Sequence, residues 1–333
     1  MKQYFVCGDI GGTKTLLQVA RTHNGQIQVL HRQQYDSQAF PDFADVLRDF
    51  LGKAAIAGAP PSAACLAVAG PVVAQRARLT NLPWQMDAAA IAAEFSIPAV
   101  KLINDFAAVA LGVEALSASD LVTLQAGTPQ AKESGLRVVL GAGTGMGVAW
   151  LAWQDGRAVP LPTEAGHMDF APANELQVRL LEHLRDKYGH VSVERVLSGS
   201  GLTDMFNFLQ ASLGKASGLV PANLDGDSGA AVTELALNRR HPLALKALDL
   251  FIEIYGAYAG NLALAGLCRG GVYVAGGIAP KIIGKLQEGG FIKAFCDKGR
   301  FSSLMGEIPV HVVMNPEVGL LGAAREAQRM LEP

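Results

Sequence analysis

The sequence predicts an α/β protein of about two domains. Three observations lead there. A strand–glycine turn–strand unit occurs twice, around residues 8–15 and 141–147, roughly 130 residues apart. Short apolar runs with hairpin turns fill much of the first half, and helical spacing takes over from about residue 171. The 333 residues are 50% hydrophobic and 17% charged, enough for a large core and too apolar for a disordered chain.

The bulk properties exclude several classes. A net charge of −2, with both signs mixed along the chain, gives no general attraction to nucleic acid or anionic lipid. Neither is expected as a partner. The opening "MKQYFVCGD" has an apolar run too short for a signal peptide, and the uncharged stretch Val138–Trp153 falls short of a span of ~20 residues. Cys7, Cys65, Cys268 and Cys296 lie far apart, without a CxxC pair or a histidine at ligand spacing. They read as reduced thiols of a cytoplasmic protein, not as a zinc site.

The first element is the strand "QYFVCGD", ending at Asp9. "GDIGGTKT" follows and nearly satisfies the P-loop pattern, except that Thr13 replaces the second glycine. A P-loop must run into a helix. Here Leu17, Val19 and Arg21 alternate with Leu16, Gln18 and Ala20 up to a hairpin turn at Asn24-Gly25, after which Ile27, Val29 and His31 resume the strand pattern. The segment is therefore strand, turn, strand, hairpin, strand. Such a turn can still bind phosphate: Gly11 and Gly12 let backbone N–H groups approach, Thr13 and Lys14 add a hydroxyl and a cation, and Asp9 is placed to hold Mg²⁺ through water. A glycine hairpin merely capped by Asp9 would look the same.

"LRVVLGAGTGMGVAWLAWQDGRAVPLP" repeats the plan: strand Val138–Leu140, glycine turn Gly141–Gly147, strand Val148–Trp153 and a hairpin at Asp155-Gly156. Met146 and Val148 break any GxGxxG pattern, and no helix follows as a dinucleotide fold requires. Two such turns suggest a duplicated unit gripping one polyphosphate from both sides, through Gly143, Thr144 and Gly145 in this half. A third glycine site is "VYVAGGIAP", a strand Val272–Ala275, then Gly276-Gly277, then a helix from about Pro280.

The DxGGTxx turn, the central GTG hairpin and the late AGG turn together resemble the hexokinase/actin-type ATPase superfamily. Within it the whole chain is similar to the bacterial glucokinases. The resemblance implies a duplicated ribonuclease H-like fold, two domains with a cleft between them, and ATP with Mg²⁺ as cofactors. It also implies glucose as substrate and a homodimer as the assembly. Lys14 departs from close glucokinases, where that position is often neutral, and is commoner in the ROK cousins. The ROK zinc motif CxCGxxGC is absent, which places the chain on the non-ROK branch.

The remaining motifs bear on the second substrate. "VKLINDFAAVALGV" is a strand Val100–Ile103, then Asn104-Asp105, then a helix. An Asp at that junction serves either as a helix cap or as the carboxylate that accepts a hydroxyl proton during phosphoryl transfer. "PTEAGHMDFAP" sets Glu164 and His167 three residues apart around Gly166, without the second histidine of HExxH. It is a structural turn, or a pair suited to neighbouring ring hydroxyls. "HVSVERVLSGSGL" reads as a helix from near Ser192, with Glu194 in its first turn complementing the helix dipole or binding a ligand. By resemblance, Asp105 is the catalytic base, while Asn104, Glu164, His167 and Glu194 bind the sugar, Glu194 at its anomeric end. Asn81 and Trp84 of "TNLPW" also match the family and carry no assigned chemistry.

Leu245, Leu248, Ile252, Tyr255, Ala259 and Leu262 step by three and four and mark one buried helix face, read as core. Asn315 begins the last helix. The expected organisation is a small α/β domain of 1–112 plus 315–333 and a larger one of 113–314. The pocket chemistry leaves mannose, fructose or an amino sugar open as alternatives to glucose. A sugar-sensing repressor would need a DNA-binding module and a basic surface, and a filament-forming ATPase would leave the polar turns without purpose.

Overall fold

The computed structural model describes residues 3–54, 60–79, 82–128, 135–214 and 228–332. It divides into two compact units, Met1–Ser117 with Ala158–Pro162 and Asn315–Pro333, and Ala118–Arg157 with Thr163–Met314.

The first unit is built on a five-stranded sheet. Strands β1 (Tyr4–Ile10), β2 (Lys14–His23), β3 (Gln26–Asp36), β4 (Ala63–Val68) and β8 (Ala99–Asn104) stand in the order β3-β2-β1-β4-β8. The β2–β3 hairpin closes at His23↔Gln26, and both Asn24 and Gly25 have positive φ, the backbone of a primed turn. β4 pairs parallel to β1 and β8 parallel to β4. A small sheet of β5 (Val72–Val73), β6 (Arg76–Arg78) and β7 (Gln85–Asp87) interrupts the chain between β4 and β8. Helices α1 (Phe43–Lys53) and α2 (Ala88–Phe95) contribute Val46, Leu47, Phe50 and Ile91 to a core with Val6, Leu17, Leu66 and Trp84.

The second unit repeats this plan. Strands β9 (Leu121–Gln125), β10 (Arg137–Ala142), β11 (Met146–Gln154), β12 (Arg157–Thr163), β13 (Gly271–Ala275) and β14 (Val310–Val313) stand in the order β12-β11-β10-β13-β14-β9. As in the first sheet, an antiparallel hairpin precedes two parallel strands, here β13 on β10 and β14 on β13. The duplication is thus one of topology: two ribonuclease H-like sheets in one chain. Helix Pro242–Gly266 is the spine of this unit's core, with Leu248, Phe251, Tyr255, Ala259 and Leu262 buried. Leu245, the first member of the expected stripe, is only partly buried.

Two helices frame the end of the first sheet. Helix α3 (Asp105–Val113) packs on the last helix, Val318–Arg329, with backbones nearly touching. A Cβ on Gly112 would run into the Val318 carbonyl, and one on Gly322 into the Ala108 carbonyl. Only glycine admits that approach.

Several boundaries differ from the sequence expectation. The second glycine turn is shorter, because ladder pairing extends to Ala142↔Met146 and leaves only Gly143–Gly145 outside it. "SVER" is a 3₁₀ turn, Val193–Arg195, and the α-helix begins only at Gly199 under a Ser198 cap. After Gly276-Gly277 the chain makes a 3₁₀ turn, Ala279–Ile282, before any α-turn. Asn315 caps a tight turn by accepting from Glu317 N, and the last α-helix starts at Val318.

Candidate active site

In the first unit, β1 delivers Asp9 to the edge of the glycine turn and β8 delivers Asn104 and Asp105 nearby. The turn is closed by Gly11 N donating to the Lys14 carbonyl at 3.0 Å. It is fixed from behind by Ser37, whose N–H donates to the Thr13 carbonyl at 3.0 Å and whose hydroxyl donates to the Gly11 carbonyl at 2.8 Å. Ser37 and its partner Thr15 are fully buried. Thr13 and Lys14 stay exposed, and Gly11 and Gly12 are partly so. Sequence reasoning missed Ser37, which lies 26 residues from the Gly11 carbonyl it holds and belongs to no local motif.

The helix cap at this junction is supplied by the residue before Asp105. Asn104 is the N-cap of α3: its Oδ1 accepts from Phe106 N at 3.0 Å and Ala107 N at 3.1 Å. Its Nδ2 donates to the Gly70 carbonyl at 3.2 Å and to Asp105 Oδ1 at 2.9 Å. Phe106 N also donates to that same Oδ1, at 2.8 Å. These two hydrogen bonds thus fall on one oxygen of Asp105. Burial pushes the Asp105 carboxyl up from 3.8 to about 6; the Phe106 and Asn104 donors oppose this, and the nearby Asp9 charge adds to it. Asp9 is raised as well, by burial, with the Lys14 ammonium pulling it back.

In the second unit the glycine turn is tied to the segments carrying Glu164, His167 and Glu194 at several points. Gly143 N donates to the Gly145 carbonyl at 2.8 Å, and Gly199 N to the Gly143 carbonyl at 3.0 Å. Glu194 Oε2 accepts from Met146 N at 2.9 Å. A side chain at Gly145 would collide with that same oxygen. Glu164 and His167 flank the 3₁₀ turn Ala165–His167, both exposed, with Oε2 and Nε2 4.0 Å apart. The Gly166 between them lies directly on the Met146 carbonyl, where a Cβ has no room. Gly276 lies beside Ala142, whose carbonyl accepts from Ile278 N at 3.2 Å. Gly166, Gly276 and Glu194 therefore all pack on the Ala142–Met146 hairpin.

Trp84 belongs to the core and donates from Nε1 to the Phe40 carbonyl at 3.2 Å, while Asn81 lies outside the described residues. Cys7, Cys65 and Cys268 are buried free thiols and Cys296 a partly buried one. Among the described residues, no helix is long and apolar enough to cross a membrane.

Two ribonuclease H-like sheets, each carrying a glycine turn between its first two strands, define the actin-like ATPase class to which sugar kinases belong. A model of the Glucokinase family matches residues 6–330. The glucokinase of Nostoc punctiforme is 44% identical over 342 residues, covering 98% of this chain and 99% of that one. That of Cronobacter sakazakii is 37% identical, with 99% of each covered. The crystal structure of glucokinase from an Antarctic psychrotroph superposes with a TM-score of 0.85 at 31% identity, covering 98% of this chain and 99% of that one. The chain belongs to the glucokinase family.

Proposed function

We propose that this protein transfers the γ-phosphoryl group of ATP to the 6-hydroxyl of D-glucose, with Asp105 as the general base. The observation that carries the reading is the division of labour at the start of α3. Asn104 caps the helix, the Asn104 and Phe106 donors to the Asp105 carboxyl both fall on Oδ1, and burial raises that carboxyl to about 6, close to the operating pH of a base.

Asp105 accepts the proton of the 6-hydroxyl while the new O–P bond forms and ADP departs with the electrons of the broken one. Asn104, Glu164, His167 and Glu194 hold the sugar, the carboxylates accepting from ring hydroxyls and the imidazole and amide able to donate. Backbone N–H groups of Gly11, Gly12, Thr13, Gly143, Thr144 and Gly145 hold the phosphates, with Lys14 adding a cation and Gly276-Gly277 a further nucleotide contact. Among the described residues, no three carboxylate, imidazole or thiol groups gather as a metal cage. Mg²⁺ bound chiefly by water and substrate phosphates needs only one or two carboxylates, and Asp9 fits that role. Bound there, the ion would neutralise charge on the transferring group. A cytoplasmic setting fits four unpaired thiols, and a homodimer is the assembly we propose by family resemblance.

The test is ADP release from Mg·ATP over a panel of hexoses, with Asp105→Asn as control. Turnover on glucose that vanishes in the variant supports both substrate and base. Equal rates on mannose, fructose or an amino sugar would keep the kinase and widen its substrate. No turnover on any sugar would overturn the proposal.

A further inference from the structure

Helix Pro242–Gly266 carries two buried tyrosines, three residues apart, whose hydroxyls leave the core in the direction of the two site turns. Tyr255, fully buried, accepts at its hydroxyl from Ala142 N at 3.1 Å. Ala142 is the last β10 residue before the glycine turn Gly143–Gly145. Tyr258, 6% exposed, donates to the Ala165 carbonyl at 2.8 Å. Ala165 lies between Glu164 and His167.

Core packing alone does not call for either hydroxyl, since phenylalanine would fill the same volume. The Tyr255 ring is held edge-on by Phe251 and Phe291, with centroids at 5.9 and 5.6 Å, so its oxygen has little freedom. We propose that Tyr255 and Tyr258 are positioning residues, the first setting the phosphate turn and the second the Glu164–His167 sugar turn. A single rigid helix, with i and i+3 on one face, then fixes both substrate-binding turns from the core. The inference rests on the kinase reading above.

The test uses Tyr255→Phe and Tyr258→Phe in the full chain, with steady-state kinetics in both substrates and calorimetric binding of glucose and of a non-hydrolysable ATP analogue. Tyr255→Phe leaves a buried N–H without its acceptor and raises KM and Kd for the nucleotide about 3- to 10-fold, with the glucose values within twofold. Tyr258→Phe does the reverse. A general loss of packing would move both substrates together or lower Tm alone, and either result overturns the inference. Should Tyr255→Phe fail to fold, Phe291→Leu loosens the ring and keeps both hydroxyls. It must then weaken nucleotide and spare glucose, and the opposite pattern overturns the inference. A wild-type chain without glucose-dependent ADP release would instead overturn the kinase reading, independently of the variants.

Discussion

Replacing Asp105 with asparagine should abolish turnover and stabilise the protein. A carboxyl held at about 6 in the fold and near 3.8 in the unfolded chain disfavours the native state by up to about 3 kcal/mol once ionised. Asp105 is partly exposed, so screening brings the expected value to about 1–3 kcal/mol. The sign follows from proton binding. Between pH 4 and 6 the folded protein keeps a proton that the unfolded chain has lost, so stability falls as pH rises through that window. Above pH 6 the cost is constant. The Asp105→Asn side chain would keep an oxygen for Asn104 Nδ2 and Phe106 N, the two donors that Asp105 Oδ1 accepts, and remove the charge. Thermal unfolding at pH 8 should show Tm higher by roughly 1–4 °C in the variant, with the gap shrinking below pH 5. Coupled ADP assays on the same samples should show kcat lowered by about 10²-fold or more. A variant less stable at pH 8, or a Tm gap independent of pH, would refute the burial argument. Near-normal kcat would refute the base.

Other expectations test separate parts of the site. In wild type, kcat/KM for glucose should fall as pH drops through about 6, with a one-proton slope, because protonated Asp105 cannot accept the hydroxyl proton; a flat profile down to pH 5 would count against it. Glu194→Gln keeps an acceptor for Met146 N but loses the charge, so KM for glucose should rise about 10-fold or more while circular dichroism and Tm stay near wild type. Gly145→Ala drives a methyl group into Glu194, which joins the two turns, so isothermal titration should show weaker binding of nucleotide and sugar together. Gly322→Ala sets a methyl against the Ala108 backbone carbonyl, where no side-chain rotation gives relief. Urea unfolding should report a loss of about 1–3 kcal/mol.

Local chemistry made much of this protein legible in its sequence. Asn24-Gly25 and Asp155-Gly156 mark hairpins because their positive-φ turns tolerate few other residues, and a hairpin after each glycine turn excludes a P-loop. The repeat of that plan about 130 residues on announced the duplicated sheets. Family resemblance then brought in the Asn-Asp pair, the Glu-x-Gly-His turn and Glu194. Which of the pair caps was not legible, because Asn104 and Asp105 are equally able caps on paper and only the register of α3 separates them. The 3₁₀ geometry of "SVER" was likewise hidden, since a first-turn Glu suits either helix type.

The sequence by itself determined the strand–turn–strand units, the duplication and the kinds of groups available for phosphate and sugar, all of which depend on neighbours within a few residues. Tertiary structure decided what holds those groups in place: Ser37 behind the first turn, Glu194 on Met146, and the Tyr255 and Tyr258 hydroxyls reaching Ala142 and Ala165 across 113 and 93 residues. A tyrosine in an apolar stripe looks like core from its spacing. Whether its hydroxyl also holds a catalytic loop depends on which backbone group the fold brings to within about 3 Å of it.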